Sequence, residues 1–142
     1  MQEYIDFFSN NQMLSIAWLA IAVMLVHSIV KDKLSAVKSV AAQQATLMIN
    51  NENALVVDVR SSEEYKKGHI VNAKNITLSQ IEQGKFTGIV NNKHTPIIVV
   101  CESGVRSANA ASKLHKAGFT QVYNLSAGMD GWVSANLPAT KK

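Results

Sequence analysis

The sequence predicts an α/β domain, a parallel central sheet covered by helices on both faces, preceded by one transmembrane helix. Three observations predict this. Short apolar runs alternate with helix-like stretches through residues 40–138, the pattern of parallel strands joined by crossover helices. The runs at 55–59 and 97–100 are almost continuously apolar, as strands buried on both faces require. Residues 13–30 contain no Asp, Glu, Lys or Arg. The 142 residues suffice for one domain of ordinary size and one extra element.

Residues 13–30, eighteen in number, span roughly 27 Å as a helix, close to the thickness of a bilayer's hydrocarbon core. Trp18 lies near the start, where an interfacial aromatic is favourable. A cleaved signal peptide carries positive charge before its apolar stretch, whereas Glu3 and Asp6 stand there. A helix packed in a soluble core shows a polar face, and this one is apolar nearly all round. Lys31, Lys33 and Lys38 follow it, and no Lys or Arg precedes it. The positive-inside rule then puts residues 1–12 outside and everything after the linker, residues 31–39, in the cytoplasm. The expected location is the inner (cytoplasmic) membrane, single-pass. His27 sits close enough to the interface to be solvated.

Within the domain, residues 40–138, the first element is a short helix over 40–49 with Ala41, Ala45, Met48 and Ile49 on one side. Asn50, Asn51 and Asn53 end it with turn chemistry. Residues 55–59 form a buried strand, and 62–66 a brief helix capped by Ser61 or Ser62. Asn75 and Ile76 mark a short strand, and 78–86 a weak helix with Gly84 near its end. Pro96 opens the strand 97–100, at a position that needs no ladder donor. Residues 106–117 are an alanine-rich helix stopped by Gly118. Residues 122–124 make the last strand, 128–135 the last helix, and 139–142 a tail.

Composition narrows the function. The net charge is +4, but the lysines are scattered and no basic run is interleaved with aromatics, so nucleic acid is not an expected partner. One cysteine excludes an intramolecular disulfide and a multi-cysteine zinc site, and a reduced thiol fits the cytosolic side. No Ser-His-Asp arrangement or phosphate-binding P-loop is visible.

The chemistry concentrates at that cysteine. The apolar run 97–100 leads into Cys101, then Glu102, Ser103, Gly104, Val105, Arg106 and Ser107, with a helix beyond. A strand, a tight loop and a helix leave unpaired backbone N–H groups facing a common hollow, which favours anions and a thiolate. Gly104 supplies a left-handed turn and close backbone approach. Arg106 adds a permanent charge, and Ser107 caps the helix or donates to a bound anion. Four residues separate Cys101 from Arg106, one fewer than in the comparable loop of cysteine phosphatases. The smaller ring suits a single sulfur carried on the cysteine better than a phosphate.

These residues resemble the rhodanese-like (sulfurtransferase) family. The run 55–60, ending in Asp58-Val59-Arg60, is similar to the family's strand ending in Asp-x-Arg. Glu63-Glu64-Tyr65, Gly68-His69-Ile70 and Ala73 to Ile76 resemble its next stretch. Cys101 to Ser107 matches its active loop, and Gly128-Met129-Asp130-Gly131-Trp132 its closing Gly-x-x-x-Trp turn. Asn72 and Ala127 stand where the family often has glycine. The resemblance implies a five-stranded parallel sheet and a membrane-anchored single-domain member. It also implies Cys101 as nucleophile, a substrate cradle of residues 102–107 and Asp58 with Arg60 as a pair that fixes the loop's geometry. His69 reads as a loop-packing residue, His94 and His115 as surface residues, and Trp132 as a core anchor.

Two functions follow. In the first, the Cys101 thiolate takes a sulfane sulfur from a donor, holds it as a persulfide and passes it to a thiophilic acceptor, small molecule or protein. No metal or organic cofactor is needed. In the second, the fold is a non-catalytic interaction module that recruits or organises inner-membrane proteins. Glu102, an acid beside the nucleophile, is expected to disfavour a dianionic donor such as thiosulfate by on the order of 1 kcal/mol.

Overall fold

A computed structural model describes residues 11–33 and 37–141. The chain divides into two units, Met1–Ser35 and Ala36–Lys142. Within the first, helix α1 runs Gln12–Lys33. Its stretch Gln12–Val30 is long and apolar enough to cross a membrane. Trp18, Leu19 and Met24, at helical spacings that send them to different sides, are all exposed. Residues 1–10, 34–36 and 142 lie outside the described residues, and with them most of the N-terminal segment 1–12 and part of the linker.

The second unit is built on a five-stranded sheet. Its strands are β1 (Lys38–Val40), β2 (Leu55–Asp58), β4 (Lys74–Asn75), β5 (Ile97–Val100) and β6 (Val122–Leu125), in the order β1-β6-β5-β2-β4. Every pairing in it is parallel. The helices are α2 (Ala42–Asn51), α3 (Ser62–Lys67), α4 (Leu78–Glu82), α5 (Val105–Lys116) and α6 (Gly128–Ser134). Alternate residues of β5 face opposite ways, as strand geometry demands. Ile98 and Val100 join a core with Ala45 and Met48 of α2 and Met129 and Trp132 of α6. Ile97, Val99 and Cys101 join a second core with Ile81 of α4 and Ala110, Ala111 and Leu114 of α5. Both faces of the sheet are therefore covered.

The helix expected over 78–86 ends at Glu82, the strand expected at Asn75 and Ile76 is Lys74–Asn75, and larger differences lie at the edges of the domain. Lys38 and Ser39, assigned to the linker, and Val40, assigned to a helix, form edge strand β1 against β6. The next helix starts after Ala41, which is its N-cap and exposed, so its buried side is Ala42, Ala45 and Met48. The three-residue run is too short to show a strand period, and its hydrogen-bond partner is 85 residues away. The segment after Pro138 is not a free tail. Ala139–Thr140 (β7) pairs antiparallel with His69–Ile70 (β3). The Trp132 indole donates to the Pro138 carbonyl at 3.0 Å, which brings that segment back over α6.

Candidate active site

Strand β5, buried at all four positions, delivers Cys101 to the C-terminal end of the sheet, where parallel sheets bind ligands. Residues 102–104 turn the chain, and α5 begins at Val105 with Gly104 as its N-cap. Gly104 is left-handed, at φ +95°, and a Cβ there would sit 3.2 Å from both the Ala127 nitrogen and the Leu125 carbonyl oxygen. The position needs glycine for conformation and for space.

The loop rests on the start of α6. The Met129 N–H donates to the Cys101 carbonyl at 2.8 Å, and the Asp130 N–H to the Glu102 carbonyl at 3.1 Å. Gly128 makes this contact possible, since a Cβ on it would lie 2.3 Å from the Cys101 carbonyl oxygen. Ala127, at φ 58°, and Asn72, at φ 62°, are left-handed too, which explains why glycine suits those positions.

Cys101 is fully buried, and its sulfur accepts hydrogen bonds. The Gly104 N–H donates to Sγ at 3.1 Å, and the Ser107 hydroxyl lies 3.2 Å from it. Burial pushes the thiol's pKa up. The Ser107 hydroxyl and the N–H groups of Ser107, Gly104 and Ser103 outweigh that and hold it below the ordinary thiol range.

Asp58 and Arg60 close the site from the end of β2. Arg60 donates to both Asp58 oxygens, through Nε at 3.1 and 3.2 Å and Nη2 at 2.8 Å. It also donates to Glu102 at 2.8 Å and to the Gly68 carbonyl at 2.7 Å. Asp58 and Arg60 are 1 % and 4 % exposed, so this is a buried clasp between β2, the active loop and the end of α3. Glu102 therefore does not stand free beside the nucleophile. Its carboxylate is paired.

Two further expectations change. Ser107 does not cap α5. It is the third helical residue and buried, with its hydroxyl between Cys101 and Asn124. The Arg106 guanidinium is bound to Glu64 at 2.8 and 3.2 Å. Glu64 belongs to a capping box with Ser61 at the start of α3. Arg106, then the Ser61 backbone N–H, hold its carboxyl down at about 2. Ser103 and Val105 are exposed at the rim. His69 is buried, its ring stacked on Tyr65 at 3.6 Å and its Nδ1 2.8 Å from the Tyr65 carbonyl oxygen.

Three participants at the site are not apparent from the sequence: Glu64 on Arg106, Asn124 on Ser107, and Gly128 as the floor of the loop. Glu64 carried a signal, the Ser-x-x-Glu spacing. So did Asn124, a polar residue inside an apolar strand. Beside the loop opens a cleft of about 630 Å³, whose walls include Arg60, Lys67, Glu102, Asp130 and Lys141.

The rhodanese-like domain family matches residues 41–135. The chain is 38% identical to the uncharacterized protein YibN of Escherichia coli K12, over 99% of both chains. It is 35% identical to the thiosulfate sulfurtransferase GlpE of Actinobacillus pleuropneumoniae serotype 3, over 70% of this chain and 89% of that one. Among solved structures, a rhodanese-related protein from Thermoplasma volcanium superposes with a TM-score of 0.62 at 28% identity. That alignment covers 74% of this chain and 99% of the other.

Proposed function

The chain belongs to the rhodanese-like domain family, and from that premise we propose that it is a membrane-anchored sulfurtransferase carrying a sulfane sulfur on Cys101. The observation that carries the reading is the hydrogen-bonded sulfur at the floor of an amide-lined loop. The thiolate attacks the outer sulfur of a donor R–S–SH. The S–S bond breaks, the leaving thiolate R–S⁻ takes the donor's proton as R–SH, and Cys101 is left as Cys–S–S⁻. The loop N–H groups and the α5 N-terminus hold the charge on the outer sulfur. An acceptor thiolate then removes that sulfur, which makes the reaction a two-step covalent transfer.

The donor is a persulfide rather than a free dianion. Near Cys101 the two guanidinium groups of Arg60 and Arg106 face three carboxylates, those of Asp58, Glu64 and Glu102. Both guanidinium groups are thus already engaged by carboxylates, and neither is free to meet a dianion. Glu102 alone does not set this, because Arg60 pairs it; Glu64 on Arg106 completes it. Helix α1 anchors the domain, with the lysines at 31, 33 and 38 keeping it on the cytoplasmic side.

Mass spectrometry of the intact protein after exposure to a persulfide donor tests the chemistry. One added sulfur, about 32 Da, removable by reductant and absent from Cys101→Ser, is the expected result. No adduct on a folded, reduced sample would end the sulfurtransferase reading and leave the interaction module. Two observations favour that second reading: the complete burial of Cys101 and the engagement of Arg106 by Glu64.

A further inference from the structure

The Ser107 hydroxyl has one proton and two acceptors within reach. Its Oγ lies 3.2 Å from Cys101 Sγ and 2.6 Å from Asn124 Oδ1. All three residues are buried. The orientation of the Asn124 amide follows from its other end. Nδ2 donates to the Gly104 carbonyl at 3.2 Å, and a carbonyl oxygen only accepts. Oδ1 must therefore face Ser107.

We propose that Asn124 is a positioning residue for the nucleophile: it competes with Cys101 for the Ser107 hydroxyl proton, which changes acceptor as the sulfur changes charge. The proposal rests on Cys101 being the reacting group. With a neutral thiol, S–H donates to Ser107 Oγ and Ser107 donates to Asn124. When the thiol loses its proton to solvent, Sγ⁻ becomes the stronger acceptor and the hydroxyl proton turns to it. Asn124 Oδ1 is then left unpaired in a buried site, at a cost. Once Sγ bonds a second sulfur, the negative charge moves to the outer atom. Sγ is again a weak acceptor, and the proton returns to Asn124.

Two consequences follow. The bare thiolate is less favoured than its donors alone would make it, so it keeps more basicity and more nucleophilic strength. The persulfide relieves the unpaired amide oxygen, which pulls the first half-reaction forward. Asn124 also grips the carbonyl of Gly104, whose N–H is another donor to Sγ. A test must separate the relay from that structural grip.

The test is the pH dependence of iodoacetamide alkylation of the sole cysteine in the full chain, held in detergent. The charged groups near Cys101 are Arg106 on α5, Glu64 on α3, Glu102 in the loop, Asp58 at the end of β2 with Arg60 just after it, and Asp130 on α6. All stay constant across the variants. Asn124→Ala, or the bulkier Asn124→Leu, should lower the midpoint. At a pH below it, the thiolate fraction should rise on the order of threefold to tenfold. Ser107→Ala should raise the midpoint, and in that background Asn124→Ala should change nothing more. An unchanged or raised midpoint in the Asn124 variants, or an equal shift without Ser107, overturns the relay and leaves only the grip on Gly104. In the wild-type protein, the Asn124 side-chain carbonyl ¹³C resonance should titrate with Cys101, and a flat resonance overturns it as well. Neither readout uses a sulfur donor. A wild-type protein that takes up no sulfur would sink the sulfurtransferase reading and still report on the relay.

Discussion

Arg60 and Glu102, 42 residues apart in sequence, meet in an ion pair at 2.8 Å that ties the end of β2 to the active loop. Arg60 does this while it holds Asp58 through Nε and Nη2. Glu102 is half exposed, but Asp58 is not. The clasp therefore has a buried half that supplies rigidity and an open half that positions the loop.

Arg60→Ala should destabilise the domain by about 3–5 kcal/mol, because it leaves the Asp58 carboxylate buried without its partner. Urea unfolding of the variant should show a lower midpoint at an unchanged slope. A loss under about 1 kcal/mol would mean that the buried pair merely offsets its own desolvation.

Gly128→Ala should be as damaging for a different reason. The new Cβ would lie 2.3 Å from the Cys101 carbonyl oxygen and 2.5 Å from that of Glu102, and both are backbone atoms that cannot step aside. The residue is also left-handed, at φ +54°. Together these cost on the order of 3 kcal/mol or more. Thermal unfolding would fall, and Cys101 alkylation would change because the loop must lift. A variant with unaltered thiol reactivity would show that the loop tolerates that displacement.

Acid should weaken the domain partly through Glu64. Its folded-state carboxyl is held at about 2, against an ordinary value of 4.5, by Arg106 first and then by the Ser61 backbone. A depressed folded pKa contributes stability that is fully present above the ordinary value and is lost as pH falls toward 2. The pair is partly exposed, so solvent screening keeps the contribution to about 1 kcal/mol at most. Unfolding free energies measured from pH 6 downward should converge for the wild type and Glu64→Gln. Parallel curves would remove Glu64 from the acid response.

Much of this architecture was legible because it is local. The buried strands announce themselves as apolar runs, and Cys101, Gly104 and the start of α5 are contiguous. What was not legible is the partner of each charge. Arg106 reads as a free cation until α3 folds beside it and brings Glu64 within 2.8 Å. Glu102 reads as a free acid until β2 delivers Arg60. Ser107 reads as a cap until β6 places Asn124 at 2.6 Å. Strand β1 was invisible for the same reason: three residues carry no period, and its pairing partner lies far along the chain.

These pairings change what charge does to donor choice. Glu102→Gln removes one carboxylate, but it also releases the open half of the Arg60 clasp, so its gain in donor attraction is offset by a looser loop. Glu64→Gln removes a carboxylate from Arg106, which is 42 % exposed and stands outside the buried clasp. The freed guanidinium then faces incoming anions. Glu64→Gln should therefore raise turnover with thiosulfate more than Glu102→Gln does, by on the order of fivefold at low ionic strength, since a hydrated charge pair is worth about 1 kcal/mol. Added salt should shrink the gain, because screening at about 1 M reduces the reach of a charge to roughly 3 Å. A neutral persulfide donor should respond little to either substitution or to salt. Steady-state rates for both donors, at two ionic strengths, decide the matter. If Glu64→Gln leaves thiosulfate turnover unchanged at low salt, Arg106 does not meet the donor, and the loop amides alone select it.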